Sequence, residues 1–418
     1  ARNYMRQGML PPPDAVRTEE FINFFNYHYP SPVRGLFAIH NQAAPSPFGS
    51  GYLLKVGVKG KVVGRDQQRP AKLTFVIDTS GSMDTPDRLG LARRSLKMLI
   101  GHLADHDEVA IVQYDFKARL VLNHTPASEK KRIAAAIDGL QVTGSTNLED
   151  GIQLGYATAA SGFDPDAVNR ILLISDGMAN LGSEDAASIL KKVEGFREQG
   201  IYSSVFGFGL GNYNDTMLET LANKGNGVYH FIDSLDEAKR VFVDNLSATL
   251  NVIAADVKIQ VEFNPQRVKR YRQLGYENRQ LKSEQFRDDT VDAGEIGSGQ
   301  AATALYEIDL AGNPSDPLGT VHVRYRNVET GEIEEISKDI LAADLVRQYE
   351  NTDPRFQLAA CTAEFAEILR GSPFAAGNDY ARVADTLRPV AQHLHLDQNI
   401  QELMRLVRSA SGLPRGSK

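Results

Sequence analysis

The chain has 418 residues, 42% of them hydrophobic and 24% charged, enough to bury more than one core. A net charge of −7 and an isoelectric point near 5.8 exclude an electrostatic nucleic-acid binder, which concentrates positive charge. No apolar run approaches the ~20 residues that a membrane-spanning helix needs.

Residues 1–50 are rich in proline and aromatics, and "DAVRTEEFINFF" places Phe21, Phe24 and Phe25 near helical spacing. This pattern predicts a segment that docks on a neighbouring domain instead of folding alone. Because the sequence begins on Ala1 and carries no hydrophobic leader, a preceding segment is expected, with a possible lipid anchor upstream. "YLLKVGVKG" at 52–60 alternates Leu54, Val56 and Val58, the period of a half-buried strand within a joining region at 51–71.

From 72 to 250 the pattern changes to apolar runs separated by amphipathic helices. The runs are "LTFVID" (73–78), "EVAIVQY" (108–114), "RILLISD" (170–176), "IYSSVFGFG" (201–209) and "GVYHFI" (227–232), with "RLVLN" (119–123) as an edge strand. Helices are expected near 86–104, 128–138, 147–160, 183–199, 215–223 and 235–250. Strands alternating with helices of this length predict an α/β fold with a doubly wound, mostly parallel sheet. Between 251 and 340 the period returns to two in "DVKIQVEF", "RVKRYRQLGY", "TALYEIDL" and "GTVHVRYR", as in an antiparallel β-sandwich. The lone strand at 52–60 needs partners, so it is expected to join this region, making the α/β domain an insertion. From 341 to 418, "PRFQLAACTAEFAEILR", "YARVADTLRPVAQHL" and "NIQELMRLVRSA" predict a C-terminal helical region. The single cysteine, Cys361, lies in the first of these and reads as core, not as a nucleophile.

In a doubly wound sheet, ligands sit at the carboxyl ends of the strands, where strand order reverses. Asp78 and Asp176 both end such strands, and "DTSGSM" and "TGSTNLEDG" add hydroxyls. Asp78, Ser80, Ser82, Thr146 and Asp176 therefore offer five oxygen donors from three loops. Hard donors without Cys or His select a hard cation, Mg²⁺ first, with Mn²⁺ or Ca²⁺ also suited. Neutral hydroxyls leave the ion's charge partly uncompensated, so an open position on it attracts a carboxylate from outside.

"VIDTSGSM", "GSTNLEDGI" and "LLISDG" together resemble the von Willebrand factor A domain and its metal-ion-dependent adhesion site, over about 72–250. That resemblance implies that Ser80, Ser82 and Thr146 touch the metal while Asp78 and Asp176 act directly or through water. The flanking regions resemble the bacterial YfbK-type proteins. The implied function is non-enzymatic: a metal-dependent interaction module, of adhesion type, that captures the Asp or Glu of a protein partner. An exported, periplasmic or surface-bound protein suits that reading; a cytosolic assembly factor for an ATPase is the alternative.

Enzymatic readings fare worse. A dehalogenase-type phosphatase needs a second acid two residues after the strand-ending Asp78, where this chain has Ser80. "GVKGK" at 57–61 lacks phosphate-loop spacing, and "GFGLGN" at 207–212 reads as a tight turn. His102 and His106, four apart on one helix, and "HLHLD" at 393–397 read as solvated or packing residues.

Overall fold

The computed structural model describes residues 1–64, 69–177, 185–209, 215–276, 283–289, 291, 293–311 and 317–414. The N-terminal part carries two short helices, α1 (Arg2–Arg6) and α2 (Thr18–Asn23), followed by strands β1 (Phe37–Pro45) and β2 (Tyr52–Gly60).

β3 (Ala71–Asp78), β4 (Glu108–Tyr114), β5 (Ala118–Pro126), β6 (Val168–Ser175), β7 (Ile201–Phe208) and β8 (Tyr229–Ile232) form a six-stranded sheet in the order β5-β4-β3-β6-β7-β8. Neighbours run parallel except at the edge, where β5 is antiparallel to β4. The helices of this unit are α3 (Leu89–His102), α4 (Lys130–Asp138), α5 (Leu148–Ser161), α6 (Asp185–Glu198), α7 (Asp215–Lys224), α8 (Leu235–Lys239) and α9 (Leu246–Leu250). Both faces of the sheet are covered, which is why its strands read as continuous apolar runs. Leu73, Phe75 and Ile77 of β3 join Leu96 of α3 and Ile133 of α4 in one core. The intervening Val76 points the other way, to Ile152 of α5, Ile189 of α6 and Leu218 of α7. Strand order reverses at β3, so the carboxyl ends of β3 and β6 flank the switch point.

β9 (Val252–Phe263), β10 (Val268–Leu274), β11 (Gly294–Gly297), β12 (Ala301–Leu310), β13 (Gly319–Asn327) and β14 (Ile333–Ile340) complete two antiparallel four-stranded sheets, β1-β2-β12-β10 and β11-β9-β13-β14. Val56, Val58 and Tyr306 of one sheet share a core with Val321, Val323 and Tyr325 of the other. β2 finds its partner in β12, Leu54 opposite Tyr306 and Val56 opposite Ala304. The parallel sheet therefore lies, in sequence, between two strands that pair with each other. A loop closure this long is tolerable because its entropy grows only logarithmically with length.

α10 (Pro354–Arg370), α11 (Tyr380–His393) and α12 (Gln398–Ala410) close the chain. α2 docks on them as the aromatic pattern predicted: Ile22 lies in their core and Phe21 and Phe25 pack against it. Thr18 Oγ1 donates to Glu367 at 2.8 Å, and Arg272 of β10 pairs with the same carboxylate at 2.8 Å. The reading of residues 1–50 as only a docking segment missed β1. This edge strand carries polar His40, Asn41 and Gln42 in mid-run, which breaks the alternation that marks a half-buried strand.

Candidate metal centre

Asp78 closes β3 and is completely buried, and Asp176 follows β6 directly at 2% exposure. The parallel register, Ile77 opposite Ile174, brings both to one edge of the sheet. Asp78 is held from three sides: Oδ2 accepts from Ser175 Oγ at 3.0 Å and from the Tyr114 hydroxyl at 3.2 Å, and Oδ1 accepts the Ser80 backbone N–H at 2.9 Å. Burial pushes the Asp78 carboxyl up from its ordinary value, with Asp176's negative charge adding to the rise, while the hydrogen bonds from Ser80 and Ser175 oppose it.

Ser80 opens a single 3-10 turn, Gly81–Met83, that sets its Oγ 3.1 Å from Ser82 Oγ. The Gly-Ser-Thr loop is tied to this turn through its backbone: Gly81 N–H donates to Gly144 O and Thr143 N–H to Thr79 O, each at 2.9 Å. Beneath the loop, buried Asp115 accepts from the side chains of Thr143 and Arg119, and its carbonyl accepts the Asn147 N–H at 2.6 Å. Asn147 in turn caps α5, accepting the Asp150 N–H at 3.1 Å. Thr146 lies half-buried in this loop, between Gly144, tied to Gly81, and Asn147, tied to Asp115. Asp78, Ser80 and Ser82 are joined by direct hydrogen bonds, and Asp176 is linked to them through Arg88.

Arg88 is the residue that sequence reasoning did not single out. Its Nη1 donates to Asp176 Oδ2 at 2.9 Å and to the Ser82 carbonyl at 2.6 Å. Its stem lies against Gly209, just past β7, where an added Cβ would come within 2.4 Å of Arg88 Cγ. Of the "GFGLGN" that read as a tight turn, Gly207 and Phe208 belong to β7, Gly209 at φ +94° makes room for the arginine, and residues 210–212 lie outside the described residues.

The Arg88 guanidinium thus lies between the Asp176 carboxylate and the Ser82 backbone carbonyl. Among the described residues no group of three or more His, Cys, Asp or Glu side chains gathers into a metal cluster, so hydroxyls are needed to complete any coordination here. His102 Nδ1 bonds the Met98 carbonyl on its own helix, and His393 and His395 are exposed. Cys361 is buried and its thiol is pushed up to about 12, by burial first, which suits a core residue and not a nucleophile.

Residues 72–244, which contain Asp78, Ser80, Ser82, Arg88, Thr146 and Asp176, match the family model of the von Willebrand factor type A domain. Residues 72–244 are a von Willebrand factor type A domain. Residues 1–55 match a further model described as von Willebrand factor. Residues 248–317 and 310–413 match the C-terminal model of the uncharacterized protein YfbK. Escherichia coli (strain K12) YfbK is 43% identical over 320 residues, an alignment spanning 74% of this chain and 56% of that protein. The chain thus spans little more than half the length of this relative. An uncharacterized Synechocystis protein is 27% identical, over 74% of each chain. Among solved structures, a von Willebrand factor type A protein from Catenulispora acidiphila superposes with a TM-score of 0.49 at 16% identity, covering 88% of this chain and 89% of that one. The type A domain lies, in sequence, between β2 and β12, which pair with each other, and its candidate site lies at the carboxyl ends of β3 and β6.

Proposed function

We propose that the type A domain is a protein-interaction module in which Asp78, Ser80, Ser82, Thr146 and Asp176 hold one divalent cation, Mg²⁺ in the first place. When bound, the cation supplies an open coordination position for a carboxylate from a partner's Asp or Glu. Ser80, Ser82 and Thr146 would give neutral oxygens, which leave the cation electron-poor. Buried Asp78 orders the Ser80 turn and, with Asp176, contributes the negative charge that retains the ion. Asp115 positions the Thr146 loop from below.

The observation that carries this reading is the convergence of the Ser80–Ser82 hydroxyl pair and two buried carboxylates at the switch point, with a cationic side chain already drawn among them. A second feature supports a protein partner. Phe116 is 57% exposed and sits beside Gly144, offering an apolar contact at the rim of the same loop. A lone carboxylate on a metal is a generic contact, so rim residues of this kind would set specificity.

The test is capture of partners from the native source by wild type and by the Asp78→Ala, Ser80→Ala double variant, each with and without chelator. Retention by wild type in Mg²⁺, with loss in chelator and in the double variant, is expected. Equal retention in all conditions would make the domain a metal-independent scaffold.

A further inference from the structure

We infer that Arg88 is a built-in cation that occupies part of the candidate site when no metal is bound and must leave Asp176 when one enters. The inference rests on the metal-site reading above and adds a competitor to it. Arg88 Nη1 contacts two of the five predicted donor residues, Asp176 through its carboxylate and Ser82 through its carbonyl. The Asp176 side chain is 1% exposed and the Arg88 side chain 17%, so the pair lies largely out of water, where attraction and repulsion are little screened.

The arrangement is seated. Gly209 supplies a notch in which the Arg88 stem lies, closed to any residue with a Cβ. Arg88 also heads α3, its carbonyl accepting the Ala92 N–H at 2.8 Å, so its backbone is fixed at the helix start. Without the arginine, the two buried carboxylates at the sheet edge would lose a positive charge beside them, a costly change. A dication added beside the guanidinium would meet a like charge and a carboxylate already engaged. Metal and arginine therefore exclude each other at Asp176. By linkage, whatever affinity Asp176 gives Arg88 is subtracted from its affinity for the metal. An arginine expelled from Asp176 would be released beside the open coordination position, where it can meet the second oxygen of an incoming carboxylate.

The test uses the full chain and Mn²⁺ alone as probe, followed by titration calorimetry on wild type, Arg88→Gln and Arg88→Lys. Arg88→Gln should bind Mn²⁺ at least ~10-fold more tightly than wild type, since the competing charge is gone and the polar stem remains. Its metal-free melting temperature should fall below that of wild type, and saturating Mn²⁺ should close the gap. Arg88→Lys, which keeps the charge and protects the test if Arg88→Gln folds poorly, should lie between the two in affinity. If wild type binds Mn²⁺ and both variants bind it equally or more weakly, the competition is overturned while the metal site stands. If no form binds Mn²⁺, both fall.

Discussion

At the carboxyl edge of the parallel sheet, Arg88 meets the carboxylate of Asp176 with a fraction of its side chain still open to solvent. At the seam between β2 and α10, buried Lys55 is enclosed by rings instead: its Nζ lies 5.2 Å from the Tyr27 centroid, 5.4 Å from Tyr29 and 5.7 Å from Phe356. The first cation has a partner that another cation can take over. The second has partners that hold it by their π-faces and tie the N-terminal segment, the paired sheets and the helices together. A buried charge at an exchangeable carboxylate suits a site, and one inside an aromatic cage suits a rivet.

The comparison breaks most severely at Asp115. Its buried carboxylate gathers the Thr143 and Arg119 side chains and the Lys117 N–H, so Asp115→Ala removes three hydrogen bonds to a charged acceptor and frees the Thr146 loop. A loss of about 3 kcal/mol in denaturant unfolding is expected, together with weakened Mn²⁺ binding. Unchanged Mn²⁺ affinity would mean that the loop carrying Thr146 does not need this support.

Lys55 sharpens the other side through pH. Burial lowers its pKa from 10.5 to about 8, with Asp353 pulling in the opposite direction. Between pH 8 and 10.5 the unfolded chain holds a proton that the folded one has released, so stability rises with pH across that window. The ceiling is about 3 kcal/mol, and the three rings reduce it because they favour the charged form. Above pH 10 the buried Tyr27, whose pKa is raised by burial, opposes the rise, since the unfolded chain then loses phenolic protons first. Lys55→Met should flatten the profile between pH 8 and 10; a slope identical to wild type would assign it to another group.

Gly209→Ala should cost about 1–2 kcal/mol in thermal unfolding, from its positive φ and the contact with the Arg88 stem, and should tighten Mn²⁺ binding by unseating that arginine. The smallest expected effect is that of Ser175→Ala, about 1 kcal/mol, which removes one of two hydroxyls donated to Asp78 Oδ2.

The donor residues of the site were legible because each sits in a contiguous string: a strand end followed by alternating hydroxyls, a Gly-Ser-Thr loop, a second strand end. Their support was not. Tyr114, Asp115, Ser175 and Gly209 end or follow other strands, and only the sheet register carries them to Asp78 and Arg88. Arg88 fell inside the helix expected near 86–104, and nothing local distinguishes an arginine that faces solvent from one turned inward beside a glycine far along the chain. In the fold, covered strands announced themselves by apolar runs, whereas the edge strands β1 and β14 did not. β14, "IEEISKDI", is an edge with four of its eight residues charged, and β1 is interrupted by polar residues, so neither shows a clean alternation. The pairing of β2 with β12 was inferable because an alternating strand cannot stay unpaired.

The central claim is that a divalent cation and Arg88 compete for Asp176. It is tested most directly by a crystal structure of the Mn²⁺-soaked protein with anomalous scattering at the manganese edge. The account predicts a single strong peak roughly 2 Å from the hydroxyls of Ser80 and Ser82, with Arg88 withdrawn from Asp176. A peak elsewhere, or none while Arg88 stays on Asp176, would contradict it.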